Sequence, residues 1–339
     1  MIISKTPFRI SFFGGGTDFP DFYKEYGGKV LSTTIDKYAY VNVRNLPHFF
    51  EYKNEIIYSK IEQVKDIDSI NHPMVKNTLS FMGMNNIKVT YDADLPARSG
   101  LGTSSSFAVG LINSLNNLSE TVYDLDSYAY RKKIADSAIL VERVLCKEAG
   151  GIQDQIAAAF GGLNIINMGK NINASEEVLY NYEVEKVNID KDTKDNLSNN
   201  LLLFFTGIKR DSFKVQNDTV KNINKKYENL LEMNRLVDVA KNHLRKNELD
   251  EFGKLLDYAW QLKKSLSDSI SLNIVDEIYD VGMSAGALGG KLLGAGGGGF
   301  ILFYVEDKNK NNVRESLKNL MEVEFNFEDG GSKIIFDNE

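Results

Sequence analysis

The chain has 339 residues, with 40 Lys and Arg against 47 Asp and Glu for a net charge of −7, and 42% of its residues are hydrophobic. That length suggests two domains or one large one, with enough apolar side chains to build a real core. The acidic balance argues against binding nucleic acid through a basic surface, and one Cys with three scattered His supplies neither an intramolecular disulfide nor a Cys-rich zinc site.

Ile2–Ser4 and Arg9–Phe13 read as short strands leading into a turn at Gly14-Gly15-Gly16. Val30–Thr34, Tyr38–Arg44 and Ile56–Ser59 carry strand-forming residues, and Ile87–Ala93 alternates apolar and polar as a half-buried strand should. Pro96 ends that strand. The small residues Ser99–Ser106 follow, then a helix pattern through Phe107, Leu111, Leu115 and Leu118. A second helix is expected from about Ser127 to Cys146, a short one after Asp154, and a strand at Leu163–Asn167.

The second half changes character. After a strand at Leu201–Thr206, helices are expected at Asp211–Glu232, Asn234–Lys246, Leu249–Leu266 and Leu272–Ala285. A glycine-dense segment, Gly286–Gly299, runs into a strand at Phe300–Val305. A helix near Asn311–Val323 and a strand at Lys333–Phe336 complete the pattern. Strands and helices come in blocks, so the expected class is α+β, with domains at 1–185 and 186–339 sharing a packed interface. No apolar run reaches membrane-spanning length, and Lys5, Pro7 and Arg9 interrupt any signal-like segment. A reducing cytoplasm is the expected compartment.

The segment Pro96–Ser106 is the strongest chemical signal. Its small residues let main-chain amides near Gly100, Leu101, Gly102 and Thr103 approach an anion, and the following helix adds a positive dipole end. Hydroxyls on Thr103, Ser104, Ser105 and Ser106 could donate to phosphate or ligate Mg²⁺. A plain Ser-capped strand-to-helix turn is the alternative. The chain holds no Gly-x-x-x-x-Gly-Lys-Ser/Thr motif, and Ser105 stands where a Gly-x-Gly-x-x-Gly fingerprint needs Gly, which disfavours an NAD(P)-dependent oxidoreductase.

Gly294–Gly299 is denser in glycine than a turn needs and implies crowding against a ligand or another loop, a bulged hairpin being the alternative. Glu142 and Asp154 are candidate partners in metal and acid–base chemistry, though Asp154 could simply cap a helix and Glu142 pair with Arg143. Thr17 and Asp18 could hold sugar hydroxyls beside the cation Arg9, or form a turn and a surface ion pair.

Together these segments resemble the GHMP kinases. Pro7-Phe8-Arg9-Ile10 with Gly14-Gly15-Gly16-Thr17-Asp18 looks like the family's first motif, Pro96–Ser105 its phosphate loop, Lys291–Phe300 its third motif, and Gly151-Ile152-Gln153-Asp154-Gln155 the catalytic Asp segment of galactokinases. The resemblance implies a two-domain fold with the active site in the cleft between domains, and ATP and Mg²⁺ as cofactors. It aligns Ser104 and Glu142 with the metal ligands, Asp154 with the catalytic carboxylate, and Arg9 with the cation beside it. Gly100, Leu101, Gly102, Thr103, Ser104, Ser105 and Ser106 align with the nucleotide loop, and Gly15, Gly16, Thr17 and Asp18 with the sugar site. Thr103 replaces a common Ser but keeps the hydroxyl. Gly15-Gly16 stands where galactokinases carry Glu-His, which weakens galactose as substrate.

A narrower resemblance, on Pro7–Asp18, Leu31–Tyr38 and Thr206–Arg210, is to bacterial kinases of D-glycero-D-manno-heptose 7-phosphate, which phosphorylate C1 to give the 1,7-bisphosphate for nucleotide-activated heptose. It makes Lys209 and Arg210, with Arg98 and Lys5 behind them, candidates for the substrate phosphate. A hexose or fucose kinase of the family and a non-catalytic sugar-binding homologue are the alternatives. The expected partners are a small-molecule sugar phosphate and ATP, with no nucleic acid or membrane, and a homodimer left open.

Overall fold

The computed structural model describes residues 1–97, 99–119, 123–169, 180–208, 215, 218 and 226–338. Two long strands organise the larger sheet, β1 (Ile2–Phe13) and β2 (Gly28–Asn45). Each replaces two short strands expected from the sequence. Pro7 and the pair Asp36-Lys37 look like breaks in the pattern. The chain instead absorbs them as a register shift: Pro7 lies opposite Tyr38 and the next residue, Phe8, opposite Ile35. A bulge is where a strand tolerates proline, because the lost ladder donor falls at an irregularity.

The length of β2 gives it several partners. Its first residues pair with β6 (Asn164–Met168) and its last with β5 (Ile87–Ala93). The sheet runs on from β5 through β3 (Asn54–Ile57) to β4 (Ile61–Val64), with β3 and β5 parallel, and β7 (Tyr182–Lys186) joins through β6. The smaller sheet has four antiparallel strands: β11 (Met321–Glu322), β8 (Leu201–Phe205), β10 (Phe300–Tyr304) and β9 (Gly289–Leu292).

The chain does not divide cleanly at residues 185/186. β12 (Phe327–Glu328) and β13 (Lys333–Asp337) return to pair with β2 and β1, so the expected 186–339 domain contributes strands to the other sheet.

On one face of the large sheet lie α2 (Pro73–Met82), α3 (Thr103–Leu118), α4 (Tyr128–Ile139) and α5 (Gln153–Phe160), packed through Val41, Val43, Leu111, Ile134 and Ile156. A second core joins the two sheets. Phe8, Ile10 and Phe12 of β1 meet Leu236 of α7 (Tyr227–Arg245), Phe252 of α8 (Leu249–Lys264) and Leu302 of β10, with α6 (Lys191–Asn199) adding Leu197. A third buries Trp260, Phe204 and Phe303 against Tyr279 of α9 (Asn273–Ser284). The expected helix at Asp211–Glu232 lies largely outside the described residues. Its described end, from Tyr227, runs without a break into the helix expected to begin at Asn234. The last helix, α10, spans only Lys310–Ser316, and β11 occupies part of the remainder.

Candidate active site

Four segments distant in sequence meet in one cleft between the sheets, and Arg9 is its hub. Arg9 sits on β1, 4% exposed. Its Nε and Nη2 donate to the two carboxylate oxygens of Asp154, both at 2.8 Å, and its Nη1 donates to the carbonyl of Gly100 at 2.7 Å. A two-point guanidinium–carboxylate pair is geometrically specific as well as strong. It fixes Asp154, in the first turn of α5, against the loop that opens α3.

That loop delivers Gly102 in the left-handed region (φ +75°) as the residue before α3. A side chain there would be strained, and a Cβ would lie 3.3 Å from Arg9 Cγ and 3.6 Å from Asp154 Oδ2. The amides of the first helical turn have no acceptor inside the helix and carry the positive end of its dipole. Gly100, Gly102, Thr103, Ser104 and Ser105 line the cleft, with Ser104 exposed. Two residues expected to bind nucleotide do not line it. The Leu101 side chain is buried in the inter-sheet core, its carbonyl accepting from Arg9 N at 3.0 Å, and Ser106 Oγ donates to the Pro7 carbonyl at 2.9 Å.

Glu142 reaches the cleft from a π-helical turn, Leu140–Leu145, that continues α4. Periodicity alone reads this stretch as uniform α-helix. The wider turn shifts its side chains by a residue, a device common at functional sites. Glu142 is 2% exposed and accepts hydrogen bonds from Ser105 Oγ at 2.7 Å and from Gln155 Nε2. The ion pair with Arg143 is long, 3.9 Å, because that guanidinium is committed to the carbonyls of Gly151 and Ala149 just ahead of Asp154. The glutamate carboxylate and the nearby Ser104 hydroxyl are hard oxygen donors on one wall. That set suits Mg²⁺, which prefers a few protein oxygens completed by water and substrate phosphate.

Asp18 lines the cleft beside the start of α5. Its Oδ1 accepts from Gly16 N at 2.9 Å and its Oδ2 from Gln153 N at 3.3 Å. Burial pushes its carboxyl up from the ordinary range and the neighbouring Asp154 adds to the push, while the amide bonds pull it down. Gly15 and Gly16 line the same region. Thr17 does not. It is fully buried, and its hydroxyl donates to the carbonyls of Gly14 and Lys29, so its work is to close the turn.

The sequence reading assigned no site role to Ser11, Gln153, Gln155, Lys263 or Lys291 and gave Arg143 only as the alternative partner of Glu142; all but Gln155 line the cleft. Ser11 Oγ and Gln153 Oε1 are buried and have no hydrogen-bond partner among the described residues. A signal for Ser11 was available, since it shares a face of β1 with Arg9. Lys5 is elsewhere, its ammonium 3.7 Å from the centre of the Tyr38 ring. Lys209, Arg210 and Arg98 lie outside the described residues.

The glycine-dense segment does crowd against other loops. Gly297 N donates to Ile270 O, Gly299 N to Ile208 O and Phe300 N to Ser99 O, which ties the small sheet to the loop ahead of α3, and Gly294 and Ala295 face the cleft.

An open helix terminus for phosphates, beside a carboxylate braced by a guanidinium, is the layout of a phosphotransferase. The profile of the GHMP kinases N terminal domain matches residues 70–162 and that of GHMP kinases C terminal residues 240–323, together just over half of the chain. The chain belongs to the GHMP kinases: it is an ATP-dependent phosphotransferase with an alcohol acceptor, a sugar kinase of that family. Among its relatives, the D-glycero-alpha-D-manno-heptose 7-phosphate kinase of Campylobacter jejuni is 28% identical, over 94% of this chain and 93% of that one. The bifunctional fucokinase/GDP-fucose pyrophosphorylase of Arabidopsis thaliana is 27% identical over 92% of this chain, which spans 30% of that protein. A crystal structure of a D-glycero-D-manno-heptose 1-phosphate kinase from Bacteriodes thetaiotaomicron matches with a TM-score of 0.79 at 25% identity, covering all of both chains.

Proposed function

We propose that the enzyme transfers the γ-phosphoryl group of ATP to the C1 hydroxyl of D-glycero-D-manno-heptose 7-phosphate, giving the 1,7-bisphosphate. The observation that carries this reading is the Arg9–Asp154 pair, which sets a carboxylate against Gly102 at the open start of α3. Two further features support a polyhydroxylated acceptor: the buried Ser11 Oγ and Gln153 Oε1, which have no protein partner among the described residues, and the Asp18 carboxylate beside them. The heptose kinases among the relatives suggest which sugar.

In this reading the amides of Gly102–Ser105 receive the nucleotide phosphates. Ser104 and Glu142 would hold Mg²⁺, which neutralises phosphate charge when bound. Asp154 accepts a hydrogen bond from the attacking hydroxyl and orients it. An anomeric hydroxyl is more acidic than an ordinary alcohol, so orienting it asks little of the carboxylate as a base. Arg9 steadies that carboxylate and stabilises charge on the attacking oxygen. Asp18, Gly15 and Gly16 hold the sugar, and Lys209 and Arg210 are proposed to meet its phosphate.

A coupled kinase assay over heptoses, hexoses, fucose and their phosphates, with NMR of the product, tests the proposal. Highest kcat/KM on the heptose 7-phosphate, with new phosphorus coupling at C1, supports it. Higher kcat/KM on a hexose or fucose, or phosphate on another carbon, refutes it.

A further inference from the structure

The turn after β1 holds three glycines in a row, and only two of them have a reason in the backbone. Gly14 adopts φ +80°, and a Cβ on it would lie 1.9 Å from the carbonyl oxygen of Lys29. Gly16 adopts φ +108°. Both angles lie where an L side chain is strained. Gly15 is outside that region, and a Cβ there would meet nothing closer than Ser11 Oγ at 3.4 Å and Gln153 Nε2 at 3.6 Å, ordinary contact distances. The fold would accept a side chain at position 15. What its bareness keeps open is the part of the cleft that Gly15, Ser11 and Gln153 line together.

The two groups around that space are themselves unsatisfied. Ser11 is 6% exposed, and neither its hydroxyl nor Gln153 Oε1 has a hydrogen-bond partner among the described residues. A buried polar atom without a partner is costly, so a native site that keeps two of them is built to meet something polar. A serine hydroxyl both donates and accepts, whereas an amide oxygen only accepts. An alcohol satisfies both; an anion would be repelled by the amide oxygen. Ser11 follows Arg9 on the same face of β1, one two-residue step of roughly 7 Å along the strand. The pairing with β2 shifts just past it, Ser11 lying opposite Ser32 and Phe13 opposite Leu31, an irregularity that re-aims side chains beside a site. With the reacting hydroxyl at the Arg9–Asp154 pair, that step reaches the far side of a sugar ring, where its exocyclic chain is attached.

We propose that Gly15, Ser11 and Gln153 form a specificity subsite for the exocyclic chain of the acceptor. The missing side chain at Gly15 makes room for one carbon more than a hexose carries. The hydroxyl on that carbon accepts from Ser11 Oγ and donates to Gln153 Oε1. This rests on the reading of the acceptor as a heptose phosphate and goes beyond it by assigning the choice between seven carbons and six to these three residues.

The test compares D-glycero-D-manno-heptose 7-phosphate with D-mannose 6-phosphate, which has the same ring and a terminal phosphate but lacks one CH–OH unit of the chain. Both are assayed with the wild type and with Ser11→Ala, Gln153→Met and Gly15→Val, and each protein is melted without ligand. The wild type should favour the heptose. The ratio of kcat/KM for the heptose over the hexose phosphate should fall about 3- to 10-fold in Ser11→Ala and Gln153→Met, the range for one neutral hydrogen bond, and further in Gly15→Val, whose branched side chain fills the space. Ser11→Ala should melt no lower than the wild type, because the hydroxyl it removes has no partner in the fold. A ratio unchanged in every variant overturns the subsite and leaves the heptose as acceptor, and a lower melting temperature in Ser11→Ala with that unchanged ratio makes the hydroxyl a part of the fold. A wild type that does not favour the heptose overturns the substrate reading itself, and the subsite with it. Should Gly15→Val fail to fold, Gly15→Ala is read by the same ratio.

Discussion

Ser105 Oγ donates to Glu142 Oε2 across 2.7 Å, joining the first turn of α3 to the π-helical turn after α4, 37 positions apart. Gln155 of α5 donates to the same oxygen, so one buried carboxylate ties three helices together at the α3 end of the cleft. The Ser105→Ala variant removes a buried hydrogen bond to a charged group, and about 1.5–3 kcal/mol of stability should go with it. Because Glu142 is also the proposed metal ligand, the variant should need several-fold more Mg²⁺ for half-maximal rate. Chemical denaturation and a Mg²⁺ titration of initial rate check the two effects. A lower stability with an unchanged Mg²⁺ requirement would leave Glu142 as a brace only.

Asp154→Asn keeps the shape of the side chain but removes the charge that Arg9 grips and, in the proposed mechanism, the base that orients the attacking hydroxyl. Turnover should fall about 10²–10⁴-fold, the range for loss of a general base, while ATP and sugar still bind. Single-turnover kinetics beside calorimetric titration of each ligand separates chemistry from binding. Near-wild-type turnover would remove Asp154 from the mechanism.

The turn that opens α3 and the acid that opens α5 were legible because they rest on local residue type: a run of small residues before a helix pattern, and an acid at a helix start after two glycines. Arg9 and Glu142 stood out as candidates, but the partners that fix them could not be read, since these lie 145 and 37 positions away. The π-helical turn has no signature in apolar periodicity, so the presentation of Glu142 could not be read at all. Thr17 shows the opposite error. A hydroxyl beside an acid suggested sugar binding, but the carbonyls of Gly14 and Lys29 claim it first. Ser11, Lys263 and Lys291 owe their place to the packing of one sheet on the other, which no local pattern encodes. The same physics misled the strand boundaries in β1 and β2, where cross-strand pairing carries the chain through Pro7.

Gly151 is where the Asp154 segment touches Asp18. A Cβ there would lie 1.8 Å from Asp18 Oδ2, an impossible contact. Gly151→Ala should therefore displace the Asp18 carboxylate and its amide bonds from Gly16 and Gln153. Acceptor KM should rise at least about tenfold, the cost of one lost hydrogen bond to a charged group, while ATP KM changes little. Steady-state kinetics in both substrates gives the answer, and equal increases in the two KM values would mean that the whole cleft had shifted.

Burial and the neighbouring cations Lys263 and Arg9 hold the Lys291 ammonium well below its ordinary pKa. A base with a depressed folded-state pKa binds its proton more weakly in the folded than in the unfolded chain. Its destabilising effect is therefore complete below the folded pKa, shrinks as pH rises, and vanishes above the unfolded value of about 10.4. Without ligand, Lys291→Met should melt higher than the wild type near pH 7, and the gap should narrow steadily towards pH 10. Melting curves of both proteins at several pH values measure the gap directly. A gap that stays constant with pH would mean that the change in packing, not the charge, sets the difference.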